Sequence, residues 1–185
     1  MRLLLAAALV ALSTSSEAAD VVPTWAHNGT LEEIVLTADA PTSLVDLATA
    51  SDLIAEAEVI AQRSFLDHDG TRILTDYRVS VTQVLKARTV QTDPTVTVRR
   101  RGGTIPYGGA SVVSSENGFR PFQIGERYVL FLRKSQQAGV YEIVSGKYGA
   151  TPVIDGAVTS TTPLSELVDR VRLSVQSAAI AQAAK

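Results

Sequence analysis

Two histidines, His27 and His68, and no cysteine at all set narrow limits on what chemistry this chain can perform. Without cysteine there is no thiolate nucleophile, no disulfide, no lipid-anchoring cysteine and no thiolate-ligated metal. A zinc site would have to combine the histidines with Asp67, Asp69 or more distant carboxylates, and no convergent ligand spacing supports one. Asp67, Asp69 and Gly70 match a fragment of a calcium loop, but the remaining ligand positions and the closing glutamate are missing. Asp67-His68-Asp69-Gly70 therefore reads as turn chemistry, with His68 on an exposed turn. Ser111 stands in Gly109-Ala110-Ser111-Val112-Val113, which lacks the second glycine of a nucleophile elbow. The pairs Gly102-Gly103 and Gly108-Gly109 lack the lysine and helix start of a phosphate loop. No catalytic constellation emerges, and neither cofactor nor metal is expected.

One cluster remains. Arg99-Arg100-Arg101 is the densest run of charge, and Tyr107, Phe119 and Phe122 follow it closely. On a strand, Arg99 and Arg101 share one face, while Arg100 points with Val96 and Val98. Arg99, Arg101, Tyr107, Phe119 and Phe122 are the candidate partner contacts, set around a long Gly- and Ser-rich loop from Gly102 to Phe122. Cations beside aromatics suit an oligonucleotide or a glycan. The formal net charge of -2 disfavours nucleic acid, since the basic spot is local.

The elements that must position this cluster are mostly strands. From Leu53 the apolar pattern has a period of two, with Leu53, Ala55, Ala57, Val59 and Ala61 on one face. A second strand runs from about Ile73 to Lys86. Its inward set of Ile73, Thr75, Tyr77, Val79 and Val81 slips at Gln83 to Val84, which predicts a β-bulge near Thr82-Gln83. Further strands are expected at Thr95 to Arg101, Arg127 to Lys134, Tyr141 to Ser145 and Thr151 to Ile154, with a short one at Ala110 to Ser114. Asp155-Gly156 is a hairpin signal. Leu31 to Leu36 fits a short strand or a helical turn equally well. Ser43 and Asp46 mark a helix start before the first strand. At the other end Thr162 and Pro163 open a helix whose stripe is Leu164, Leu167, Val168, Val171 and Val175, fraying beyond Ser177. The fold class is mainly β, a small OB-like barrel of about five to six strands with a short helix before it and a helix after it.

The arrangement resembles the netrin-like module of the OB-fold class, to which the metalloproteinase tissue inhibitors belong, and is similar to exported bacterial domains with the same skeleton. Four stretches carry the likeness: Ala50-Ser51-Asp52-Leu53-Ile54-Ala55, Tyr77-Arg78-Val79 leading to Val84-Leu85-Lys86, Thr95-Val96-Thr97-Val98, and Gly125-Glu126-Arg127-Tyr128-Val129-Leu130. Tissue inhibitors chelate a protease zinc through a mature N-terminal cysteine. This chain has no such residue, so the resemblance implies the fold and not that mechanism.

The N-terminus reads as an export signal over residues 1–18. Arg2 precedes an apolar run from Leu3 to Leu12, and Ser16 and Ala18 supply the small residues of a cleavage site. The run is too short to span a bilayer, and no later segment does so. Removing these residues deletes Arg2 and Glu17, one charge of each sign. An extension over 19–42, a barrel domain over 43–160 and a packed amphipathic helix over 161–185 follow. Asn28-Gly29-Thr30 fits a glycosylation sequon. Together these features predict an exported, periplasmic or extracellular binding module. Its partner would be a protein or small ligand outside the cytoplasm, with peptidase inhibition and glycan or nucleic-acid binding as alternatives.

Overall fold

The computed structural model describes residues 30–31, 43–89, 93–107, 110–116, 119–158 and 162–183. The expected signal peptide, His27, Gly108-Gly109 and all of the 19–42 extension but Thr30 and Leu31 lie outside them. In chain order the elements are β1 (Thr30–Leu31), α1 (Leu44–Ala50), β2 (Leu53–Leu66), β3 (Ile73–Ala87), β4 (Thr95–Arg101), β5 (Gly103–Tyr107), β6 (Ala110–Ser114), β7 (Arg127–Lys134), β8 (Val140–Ile143), β9 (Ala150–Val153) and α2 (Leu164–Ala183).

Strands pair in the order β2-β3-β4-β8-β7-β9, and β2 pairs with β7 as well, so five strands close on themselves and β9 is added outside. The β4–β8 pairing is parallel and the others are antiparallel. The chain is thus mainly β, built on a closed OB-like barrel. Leu53, Ala55, Ala57 and Val59 fill the interior with Tyr77, Val79, Val96, Val98, Leu130 and Leu132.

Three register shifts interrupt the β2–β3 pairing, the first skipping Leu85 between Lys86 opposite Ile54 and Val84 opposite Ala55. Glu56 lies opposite Gln83 and Ala57 opposite Val81, so Thr82 is the extra residue of a bulge, where the slip from Val81 to Val84 predicts it. Its hydroxyl donates to the Glu56 carbonyl at 3.1 Å. The third shift corrects the sequence pattern. Val59 pairs with Val79, but Ala61 pairs with exposed Arg78, because Ile60 is skipped. Ala61 therefore leaves the inward face.

Outside the barrel, α1 and α2 cover the face of β2 and β7. Leu47, Ala48 and Val171 pack on Ile54, Val129 and Phe131. Ser43 caps α1 by accepting from the Asp46 amide at 3.2 Å. Lys86 closes its other end, donating to the Ala48 and Ser51 carbonyls, where a cation suits the helix dipole. α2 continues to Ala183 rather than fraying beyond Ser177. Among the described residues no helix is long and apolar enough to cross a membrane.

The expected long loop after β4 is instead a hairpin. β5 and β6 pair antiparallel, and β1 adds to β6 in parallel. Ile105 and Val112 pack against Ile73 at the end of the barrel. The entry is tight. Gly103 has φ +138°, and a Cβ there would collide with the hydroxyls of Ser64 and Thr75. Those hydroxyls bond each other at 2.8 Å, and Thr75 also donates to the Gly102 carbonyl at 2.6 Å. Only glycine fits that approach.

Candidate functional site

An arginine-lined cleft of about 510 Å³ opens beside β4, walled by Arg72, Arg99, Arg100, Arg101, Glu116 and Glu142, with Leu74, Phe119, Ser135, Ile143 and Gly146 completing it. The strand pattern explains its place. β4 pairs with β8 only from Thr97 to Arg99, so beyond that point the two strands part. Arg72 ends the loop between the first two barrel strands, and Ser135 begins the loop between the last two. These loops, with the face of the second and third strands, form the ligand surface of OB barrels generally.

The arginines differ in what they are free to do. Arg99 is committed, since its Nε and Nη2 donate to both oxygens of Asp76 at 2.7 and 2.8 Å. Its Nη1 donates to Gln137 at 2.7 Å, and its guanidinium lies 5.0 Å from the Phe65 ring centre. The bond to Asp76 raises its pKa above the ordinary arginine value. Arg99 also belongs to a row across the outer face, where Arg63 is opposite Asp76, Asp76 opposite Arg99, Arg99 opposite Glu142, and Glu142 opposite Arg133. Alternating signs at paired positions stabilise a sheet by a few tenths of a kcal/mol each. No apolar period announces such a row.

Arg100 turns inward, in phase with Val96 and Val98, and its side chain is only 5% exposed. The guanidinium lies over Phe119, 3.2 Å from the ring centre, with the Phe122 ring centre at 4.8 Å. Nη1 donates to the Arg120 carbonyl at 3.0 Å and Nη2 to the Phe119 carbonyl at 3.4 Å. Glu116 Oε2 stands 3.7 Å away, and Nε has no partner among the described residues. Burial lowers the pKa of this guanidinium, with Tyr77 and Glu116 opposing that shift. Arg101 and Arg72 are exposed at the mouth.

Of the five expected contacts, Arg99, Arg101 and Phe119 meet at the cleft. Phe122 does not: it is wholly buried, with ring centres 5.0 Å from Tyr77 and 4.3 Å from Tyr128. Tyr107 packs in the hairpin cluster, and its hydroxyl is buried without a partner among the described residues. Aromatic residues near a basic run looked alike in sequence, whereas the barrel needs one of them as its plug. Arg72, Glu116 and Glu142 left no mark in the sequence, and Arg100, expected to point with Val96 and Val98, was not among the expected contacts. Only Arg100 left a signal, a charge in register with two core valines.

Glu126 holds this arrangement. It accepts from the Tyr128 hydroxyl at 2.6 Å and the Gln123 amide at 2.8 Å, and pairs with Arg120. The stretch that supplies the carbonyls to Arg100 is thereby pinned to β7. Burial would raise the Glu126 carboxyl, but these three donors together hold it below its ordinary 4.5. A carboxyl depressed in the folded state stabilises above its unfolded pKa, and that stability is lost as pH falls through the folded value. Glu126→Gln is expected to cost about 1–2 kcal/mol near neutrality and to flatten the acid limb of stability. Urea midpoints measured from neutrality to about pH 3 check this, and an unchanged acid slope would count against it.

Asp67 accepts from the amides of Thr71 and Arg72 at 2.8 and 3.1 Å, so the Asp67–Gly70 segment is a self-bonded turn. His68 is fully exposed, and its one polar contact among the described residues is with Asp69, at 3.2 Å. Among the described residues no group of three metal-ligating side chains comes together. The fold and cleft define an OB-like barrel with a cationic pocket where β4 and β8 part. The chain matches no protein-family model and none of the curated proteins.

Proposed function

We propose that this protein is an exported, non-catalytic binding module of netrin-like type that takes an anionic ligand in the arginine cleft. The observation that carries this reading is the set of four arginines on one cleft of about 510 Å³, a size suited to a small ligand or a short stretch of chain. Arg99 and Arg100 are held rigid by their partners, which lowers the ordering cost of binding. Arg72 and Arg101 remain exposed for the ligand itself. Export is supported by the succession of Arg2, the apolar run and the small residues before Ala19. The netrin-like likeness is supported by the helix before the barrel, the bulged second strand and the terminal helix on the outer wall. A non-catalytic role is supported by the absence of cysteine and by the isolation of His68 on its turn.

The test is thermal unfolding of the full chain in sulfate against chloride at matched ionic strength. Millimolar sulfate is expected to raise the midpoint by a few degrees through ligand linkage. The Arg72→Gln, Arg101→Gln double variant should abolish that shift without changing the midpoint in chloride. An equal shift in wild type and double variant would sink the reading.

A further inference from the structure

Resting on the anion-binding reading of the cleft, we propose that its ligand presents a carboxylate, which Arg100 and Arg101 hold in place of the protein's own Glu116. Three observations lead there. First, Arg100 lines the cleft with a side chain only 5% exposed, and its Nε lacks a partner among the described residues. A buried guanidinium donor left open is a costly feature that a ligand oxygen satisfies.

Second, Glu116 already brings a carboxylate to this guanidinium without closing on it. Its side chain is 13% exposed and its nearest oxygen is 3.7 Å from Nη2, beyond hydrogen-bond length. A planar guanidinium and a carboxylate make two parallel bonds when unobstructed. Glu116 stands beside the guanidinium and leaves that pairing unmade. A ligand carboxylate that displaces it exchanges one negative charge for another, so the buried cation is never stranded.

Third, the surroundings disfavour nucleic acid. Phe119 and Phe65 each already carry one of the protein's own guanidinium groups, which competes with a base for stacking there. Glu116 and Glu142 line the same cleft and repel a polyphosphate more than a single carboxylate. The net charge of -2 gives no long-range attraction for a polyanion.

The source of the carboxylate is a small organic acid or an acidic peptide end, and the experiment separates them. Calorimetry on the full chain uses four probes: succinate, a short oligoglutamate peptide, inorganic phosphate and oligothymidylate. Succinate or the peptide is expected to bind more tightly than phosphate, and the tighter of the two identifies the source. Glu116→Gln should raise that affinity about tenfold by removing the internal competitor, and Arg101→Gln should lower it about tenfold. Arg101 is exposed at the mouth and Glu116 mostly buried, so the folding of both variants is checked by unfolding midpoints, which Arg100 variants would disturb. Affinity unchanged or lowered in Glu116→Gln overturns the competitor role. Phosphate binding at the cleft with no carboxylate binding overturns the carboxylate assignment but leaves the anion-binding reading intact. Tighter binding of oligothymidylate than of either acid also overturns it. Binding of no anion at all removes both.

Discussion

Arg100→Ala is expected to lower the unfolding free energy by about 3–5 kcal/mol, the range for removing one partner of a buried ionic arrangement. At about 2–4 °C per kcal/mol for a chain of this size, the midpoint should fall by roughly 10 °C. The loss has three sources. The guanidinium no longer covers the face of Phe119, at 3.2 Å from its centre. The carbonyls of Phe119 and Arg120 lose their donors. Glu116 is left as a mostly buried carboxylate with no cation beside it. Arg100→Lys should recover only part of this, because an ammonium cannot cover the ring while reaching both carbonyls. Differential scanning calorimetry on the two variants decides the matter. A midpoint for Arg100→Ala within a degree or two of wild type would mean the side chain is solvated and structurally idle.

Phe122→Ala should be comparably damaging, at about 3–5 kcal/mol for a large aromatic removed from a packed interior. The ring is wholly buried and touches Tyr77, Phe119 and Tyr128 at once. It fills the barrel where no strand of its own reaches, arriving on the connection into β7. Urea unfolding measures the effect. The informative contrast is Phe119→Ala, whose ring is partly buried and whose loss should be smaller. If Phe122→Ala kept its stability and lost only ligand affinity, the residue would be a contact after all. Arg100 and Phe122 share Phe119 as a neighbour, so their double variant should be less than additive.

The barrel was legible where residue types and period agreed. Leu53 to Val59 alternate cleanly, and the slip from Val81 to Val84 marks the bulge at Thr82, because apolar residues stand on both sides of it. The skip at Ile60 left no trace, since Ala61 is small and apolar and continues the alternation on paper. The β5–β6 hairpin was hidden by its composition. Glycine, serine and Pro106 read as loop, while only Ile105 and Val112 need burial, and they find it against Ile73 from a distant strand. The cleft was half legible. Three consecutive arginines are conspicuous, but Glu116 and Glu142 reach it from elements that no local pattern brings near. Which aromatic faces the cleft and which plugs the barrel depends on how the 119–122 stretch is tied down by Glu126, a tertiary fact.

The pairing that closes the barrel joins Leu53 to Leu132 and Glu58 to Arg127, the first strand to one almost a whole domain later. Everything between must be spanned before those hydrogen bonds can repay the entropy of the loop they close. The β2–β3 hairpin can form early from neighbouring residues, but it stays an open, strongly bent ribbon until β7 arrives. High contact order of this kind places the chain among slowly folding proteins, on the millisecond-to-second scale. Growing from its N-terminus, such a chain cannot close its wall until the far side of residue 132 has been released. Until then only the pairings of sequence neighbours, β2 with β3, β3 with β4 and β5 with β6, are available to it, and the closed shape comes late.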